Sequence, residues 1–413
     1  MPSSKHPAAA AFGAAIGLLL PLALAAEPIG QPIRVDPNSL PPPYATRAAS
    51  NGNQRVTRPQ DVMPQIPAGF VISLYAEGLE HARELAVAPD GALMVAEEQV
   101  GKILILRGSG ARADARETFL AGLDTPSGMG FADGQFWFAD LKGVYRLPYQ
   151  PGDRQARQKP QPVTRPGALG STGGHITRIL ALDPDGRHFT VSDGSSGNLA
   201  EDRAPRATVQ IFEKDGGGQR TLASGTRNPV GTQFYPGSRS LWAVVNERDG
   251  LGDDLVPDYL ATMSDGAFYG WPYSYIGRHP QPGFEGHADL VAKARVPELL
   301  FRSHSAPLGL VFVSDQTWPQ RYRGGALVAL HGSWNSATPT GYFVAFVPFR
   351  NGQPTGSYEP FMTGFRLDGG DDGKPGRARV WGRPVGLAFA QDGSLFVSDD
   401  TGNTIWKLRP PPR

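Results

Sequence analysis

Short apolar runs recur in pairs along this chain, each pair joined by a polar turn. The clearest lies between Gly173 and Gly194, in GGHITRILALDPDGRHFTVSDG. Alternating apolar positions bury one face of a strand and Asp-Gly closes a tight turn, so ITRILAL, the turn at 183–186 and HFTVSD predict an antiparallel hairpin. Comparable pairs occupy 84–106, 126–147, 227–250, 306–333 and 383–408. Each opens on Pro or Gly, turns on a polar step such as PDG, ADG, PGS or QDG, and leaves through an acidic or Asn-containing exit. A hairpin of this length cannot bury both faces alone, so the copies must pack on one another. Six such units predict an all-β fold, a six-bladed β-propeller. A pair of β-sandwiches is the competing architecture, but it does not call for one turn and exit signature repeated six times.

The remaining stretches fit around these units. IPAGFVISLYAEGLEHA at 66–82 alternates imperfectly through Phe70, Ile72, Leu74 and Tyr75, which predicts a strand suited to closing the ring. Pro/Gly/Arg-rich segments at 148–172, 251–303 and 366–382 read as long loops on one face. Residues 26–65, with PPP at 41–43 and no apolar period, read as an extended arm or linker ahead of a propeller domain at 66–413. Before the arm, Lys5 and His6 precede an apolar run from Ala8 to Leu24 that ends on a small-x-small step. This predicts a secretory signal peptide over 1–25 and a periplasmic or secreted protein. An uncleaved anchor is the alternative; no later segment is long and apolar enough to span a membrane.

Composition narrows the partners. The formal charge is +1, and removal of Lys5 with the signal brings it to zero. Nothing in that balance calls for nucleic acid or an anionic membrane, so a small or neutral partner is expected. The chain has 52 Gly, 39 Pro and no Cys, which favours many turns and excludes disulfides, thiolate metal sites and thiol catalysis.

The chemistry is expected at blade entrances and exits, which ring a propeller's channel mouth. His175 stands just ahead of its hairpin after two glycines, and a neutral imidazole there suits a general base. A histidine satisfied by backbone carbonyls is the other reading. Arg227 and Asn228 open the fourth unit; a guanidinium fork recognises carboxylates, or else it bridges two blades. NERDGLGDD at 246–254 offers oxygen ligands of the kind Ca²⁺ takes, without the spacing of an EF-hand, and reads equally as a solvated acidic turn. His331 and Arg383 sit at strand ends; Trp271 and Trp334 are either walls of a site or core.

Taken in order, GGHITR, SGTRNPVG, NERDGLGDD with AFYGWPY, and GRPVGLAFAQDGSLFVSDDTGN resemble the soluble pyrroloquinoline quinone (PQQ) dependent sugar dehydrogenases over roughly 66–410. The branch with L-sorbosone dehydrogenase-like proteins looks closest. The resemblance implies a quinoprotein oxidoreductase on a six-bladed propeller, with PQQ over the channel mouth and a Ca²⁺ ion polarising it. It implies that His175 takes the proton of a sugar or polyol hydroxyl while hydride leaves for the quinone. Arg227, Asn228 and Arg383 would bind the cofactor, and the backbone carbonyls of Asp249 and Gly250 would bind the metal. Three cofactor positions carry other residues here: Thr125 where glucose-oxidising members have glutamine, His331 near their lysine and Trp381 near one of two arginines. Gly174 replaces the aspartate that precedes their catalytic histidine. The implied partners are a sugar substrate and an external electron acceptor such as a cytochrome or a quinone. A Ca²⁺-dependent propeller lactonase and a non-catalytic glycan- or protein-binding propeller are the alternatives.

Overall fold

The computed structural model describes residues 28–367 and 376–412. The predicted signal peptide lies outside them. Six sheets follow one another in chain order, each built on four antiparallel strands, the third extended by a fifth, parallel strand at Ala267–Phe268. The first blade uses Ala82–Val87, Leu93–Glu97, Lys102–Arg107 and Ala115–Ala121, and the second begins with Met129–Ala132 and Gln135–Ala139. The third holds the expected hairpin, with Arg178–Leu182 paired to His188–Asp193 in continuous register and Gly186 N bonded to the Asp183 carbonyl at 2.9 Å. In the sixth blade, Thr404–Arg409 pairs on its outer side with Val71–Ala76, so the strand read at 66–82 closes the ring.

The Pro/Gly entrances have a steric origin. Consecutive inner strands almost touch around the channel: a Cβ on Gly128 would lie 2.0 Å from Leu180 N, on Gly309 2.2 Å from the Val385 carbonyl oxygen, and on Gly386 2.1 Å from that of Arg83. Each of these glycines faces the inner strand of the next blade, so only a residue without a side chain lets the ring close this tightly.

The core lies between neighbouring sheets rather than inside any one. Met94 and Ile105 of the first blade pack with Phe136 and Phe138 of the second, and Trp242 and Phe301 of the fourth pack with Phe312 and Val328 of the fifth. Middle strands are therefore covered on both faces, as in Leu241–Val245, which is buried throughout. This corrects the reading of 251–303 as one long loop. Pro257–Thr262 and Leu299–Ser303 are the third and fourth strands of the fourth blade, and double-sided burial had removed the alternation that reveals a strand. Only 263–298 forms the excursion, with a small hairpin at Ser274–Tyr275 and His279–Pro280 and the short helix Ala288–Val291.

The arm is extended and docked along the ring. Ile33 bridges Tyr358, Tyr44 N donates to the Leu251 carbonyl, Asn51 N to that of Trp334, and Gln54–Arg55 pairs in parallel with Arg379–Val380. It thus braces the loops after the fourth and fifth blades' inner hairpins, which wall the site described next.

Candidate active site

Strand ends of blades one, three, four, five and six converge on a cleft of ≈ 380 Å³ at one end of the channel. Of the residues singled out from sequence, it brings together His175, Arg227, Asn228, Asp249, His331, Trp334 and Arg383, whereas Trp271 is core, at 3% exposed. Thr125, Trp381 and Gly250 are not among the lining residues. The Trp381 indole lies in the core, 5.1 Å from the Phe365 ring and 6.0 Å from Trp406, with Nε1 donating to the Gly364 carbonyl at 2.9 Å. Thr125 precedes the second blade in a left-handed conformation, φ +56°, with its hydroxyl on Asp124. A larger groove of ≈ 860 Å³ between the arm and blades four and five holds none of these residues.

His175 is fixed by backbone. Its Nδ1 lies 3.0 Å from the carbonyl oxygen of Ser195, and a carbonyl only accepts, so Nδ1 carries the proton and Nε2 keeps the lone pair. Burial and the neighbouring Arg227 charge lower the imidazole pKa to about 4, so the ring is neutral across physiological pH. Gly174 explains why no acid precedes this histidine. Its φ is +72°, and a Cβ there would lie 2.4 Å from the Ser196 carbonyl oxygen and 2.6 Å from that of Ser195. An aspartate at 174 would collide with the very peptide that orients the ring. Gly194 serves the same crowding, since its Cβ would meet Asn228 Oδ1 at 2.4 Å and His175 Cβ at 2.6 Å.

Two buried arginines that sequence reasoning passed over hold the histidine segment. Arg206 donates to the carbonyls of Ser171, Gly173, His175 and Ser195 at 2.6 to 3.2 Å, and Arg178 to those of Ser171, His175 and Thr177 at 3.0 to 3.2 Å. Both flank the buried Asp193 carboxylate at 3.3 and 3.4 Å. Arg178 sits inside the GGHITR motif; Arg206, in APRATV, carries no sequence signal at all.

Arg227 performs the bridging role that was left open. It donates to the Glu247 carbonyl at 2.8 Å, to Asn198 Oδ1 at 3.1 Å and to Asp249 Oδ2 at 3.2 Å, tying the exit of blade three to the 246–254 loop. Asn228 keeps its Oδ1 buried without a partner. On the far wall, Arg383 donates to the carbonyls of His331 and Gly332 at 2.8 and 2.7 Å, and His331 Nε2 lies 2.9 Å from Asp400 Oδ1. Burial and the Arg383 charge lower the His331 pKa to about 4, so His331 is a neutral donor to Asp400. Arg83 pairs with Asp400 and Glu98, each at 2.8 Å.

Several polar groups around the cleft are desolvated or lack a hydrogen-bond partner, as at a site for a bound ligand. Burial pushes Glu247 up to about 8 and Asp258 up to about 7, and Glu247 Oε1 has no hydrogen-bond partner. Burial, with the neighbouring Arg83 and Arg55 charges, lowers Arg383. Orphaned oxygens on Asn228 and Glu247 beside buried carboxylates fit a bound cation; Arg83 and Arg383 across the cleft fit an anion. The Asp249 carbonyl is in use: it accepts from Arg248 Nε and Nη2 at 2.9 and 2.7 Å and from Asn198 Nδ2 at 3.0 Å.

A family model, TrAA12-like, matches residues 64–257 and 287–410. The chain belongs to the TrAA12-like family. The motif resemblance to PQQ-dependent sugar dehydrogenases accords with this membership. A PQQ-dependent sugar dehydrogenase of Hypocrea jecorina is 25% identical, with 87% of this chain and 92% of the relative covered. A PQQ-dependent pyranose dehydrogenase of Coprinopsis cinerea is 27% identical over 57% of this chain and 39% of the relative. An uncharacterized protein of Borreliella burgdorferi is 29% identical over 57% of this chain and 60% of the relative, so the chain spans less than two thirds of two of these relatives. The holo form of the Coprinopsis cinerea pyranose dehydrogenase PQQ domain superposes with a TM-score of 0.73 at 19% identity, covering 86% of this chain and 98% of that one, which shows a shared fold.

Proposed function

We propose that the protein is an exported quinoprotein dehydrogenase that oxidises a hydroxyl of a sugar, with His175 as general base. The observation that carries this reading is the tautomer of His175: Nδ1 is committed to the Ser195 carbonyl, so the basic nitrogen on a cleft-lining ring is Nε2. PQQ would be held by Arg383, Arg83 and Asn228, with Ca²⁺ at the oxygens of blade four, and together they would supply a polarised acceptor for the hydride of the carbinol carbon.

The chain's own residues account for the rest of the chemistry. An alcohol gives up hydride far less readily than an alkoxide, so the hydroxyl proton must move as the C–H bond breaks; Nε2 receives it, and the carbon becomes a carbonyl. A base whose resting pKa is near 4 is always available but weak, and an anionic ligand bound beside it would raise that value by stabilising the imidazolium. Arg206 and Arg178 hold the carbonyls around the histidine rigid, so its ring does not have to be ordered at each turnover. The N-terminal run read as a signal supports action in the periplasm or outside the cell, with electrons passed to an external acceptor.

The test is reconstitution. Purified protein given Ca²⁺ and PQQ should acquire a bound quinone chromophore and reduce a dye with at least one member of an aldose and polyol panel. A bound chromophore with no turnover across that panel would remove the dehydrogenase reading.

A further inference from the structure

Seven tryptophans occur in the chain, and six are at most 3% exposed; Trp334 is 52% exposed. It also lines the cleft that contains His175, Arg227 and Arg383. A half-exposed indole at the cleft presents an apolar face that a ligand entering it can cover.

The backbone beneath this ring is held firmly. Its carbonyl accepts from Asn51 N at 2.7 Å, and Ser333 N donates to the Thr340 carbonyl at 3.0 Å. Gly332 has φ +92°, and a Cβ there would lie 2.3 Å from the Tyr342 ring, so the chain passes this point only as glycine. On the other side, Asn335 is buried, with its amide 3.0 Å from His304 Nδ1 and bonded to Asp249. These contacts hold the loop on both sides of the exposed ring.

We infer that Trp334 is a stacking platform for the ring of the sugar substrate. A pyranose presents a face of C–H groups between polar edges, and that face complements an indole; an open-chain polyol has no fixed face to offer. The charged groups Arg83, Arg383 and the His331–Asp400 pair suit an ionic cofactor, whereas a half-solvated aromatic suits the reactant that comes and goes. The inference rests on the reading of the cleft as a sugar dehydrogenase site.

The test compares wild type, Trp334→Ala and Trp334→Phe, each loaded with Ca²⁺ and PQQ, using D-glucose, D-galactose and D-xylose as probes. In Trp334→Ala, KM for the oxidised pyranose should rise about ten- to a hundredfold with quinone affinity kept within about threefold, and Trp334→Phe should recover most of the loss. An unchanged KM overturns the inference, as does a loss of quinone affinity with KM unchanged, which would make the indole a cofactor wall. A second readout stands apart from turnover: acrylamide quenching of tryptophan fluorescence in the loaded protein. If wild type oxidises none of these three probes, the dehydrogenase reading is left to the wider panel, and the platform is judged by this readout alone. Sugar-dependent protection present in wild type and absent in Trp334→Phe upholds it; no protection rejects it.

Discussion

Gly174→Ala is the sharpest perturbation the site allows, because one methyl group tests how His175 is oriented. At φ +72° a non-glycine residue costs about 1–2 kcal/mol from backbone crowding alone. The added Cβ would also stand 2.4 Å from the Ser196 carbonyl oxygen, about 1 Å inside ordinary contact, and the obstacle is backbone rather than a side chain that can swing away. Overpacking of that kind adds about 1–3 kcal/mol, so a total loss of roughly 2–5 kcal/mol is expected. The strain is relieved only by moving the 195–196 peptide, whose carbonyl holds His175 Nδ1. A base displaced by about 1 Å costs roughly a hundredfold in kcat. Gly173→Ala is the internal control, since a Cβ there meets nothing within 4 Å and requires no unusual φ. Urea unfolding gives the stability of both variants, and dye-linked kinetics with a fixed sugar gives the rates. Wild-type stability and turnover in Gly174→Ala, or equal losses in both variants, would refute the steric account of the missing aspartate.

Three further outcomes follow from the same geometry. Arg206→Met removes a cation that serves four carbonyls and flanks Asp193, and losing one partner of a buried charge cluster should destabilise the protein by about 3–5 kcal/mol in urea unfolding; a loss under about 1 kcal/mol would show the clamp to be dispensable. His175 and His331 both titrate below the ordinary value of 6.5, at about 4. The folded state therefore resists their protonation, and their contribution to stability, present above pH 6.5, should fall as pH drops from 6.5 toward 4; His175→Gln should flatten part of that slope in a pH series of melting curves, and an unchanged slope would contradict the shift. Because Arg248 occupies the Asp249 carbonyl with two N–H groups, a cation using that oxygen must displace it, so Arg248→Ala should bind Ca²⁺ about tenfold more tightly by calorimetry without quinone; weaker binding would mean that Arg248 helps to build the metal site.

Local pattern carried the parts of this molecule that local physics decides. The inner hairpins were legible because a polar turn between alternating runs is a short-range signal, and their Pro/Gly entrances now have a cause in the contact of Gly128, Gly309 and Gly386 with the next inner strand. The outer strands of blade four were not, because PDYLAT is covered on both faces and shows no period. Seven site candidates converge, since each stands at or near a blade end. Trp381 and Thr125 were carried by correspondence with a family motif, and correspondence says nothing about direction: the Trp381 indole turns into the core beside Phe365. Arg206 was invisible because its partners are carbonyl oxygens of residues 171 to 195, and a backbone acceptor leaves no mark in sequence. The docking of the arm was hidden for the same reason, being made largely of main-chain bonds such as Asn51 N to the Trp334 carbonyl.

The central claim is that Nε2 of His175 takes the substrate proton while other residues hold the cofactor. Single-turnover reduction of the bound quinone by sugar, followed by stopped-flow absorbance in wild type and His175→Ala, tests it directly. The account predicts a quinone spectrum and affinity close to wild type, with the reduction rate lowered by about 10²–10⁴. An undiminished rate in the variant would contradict it.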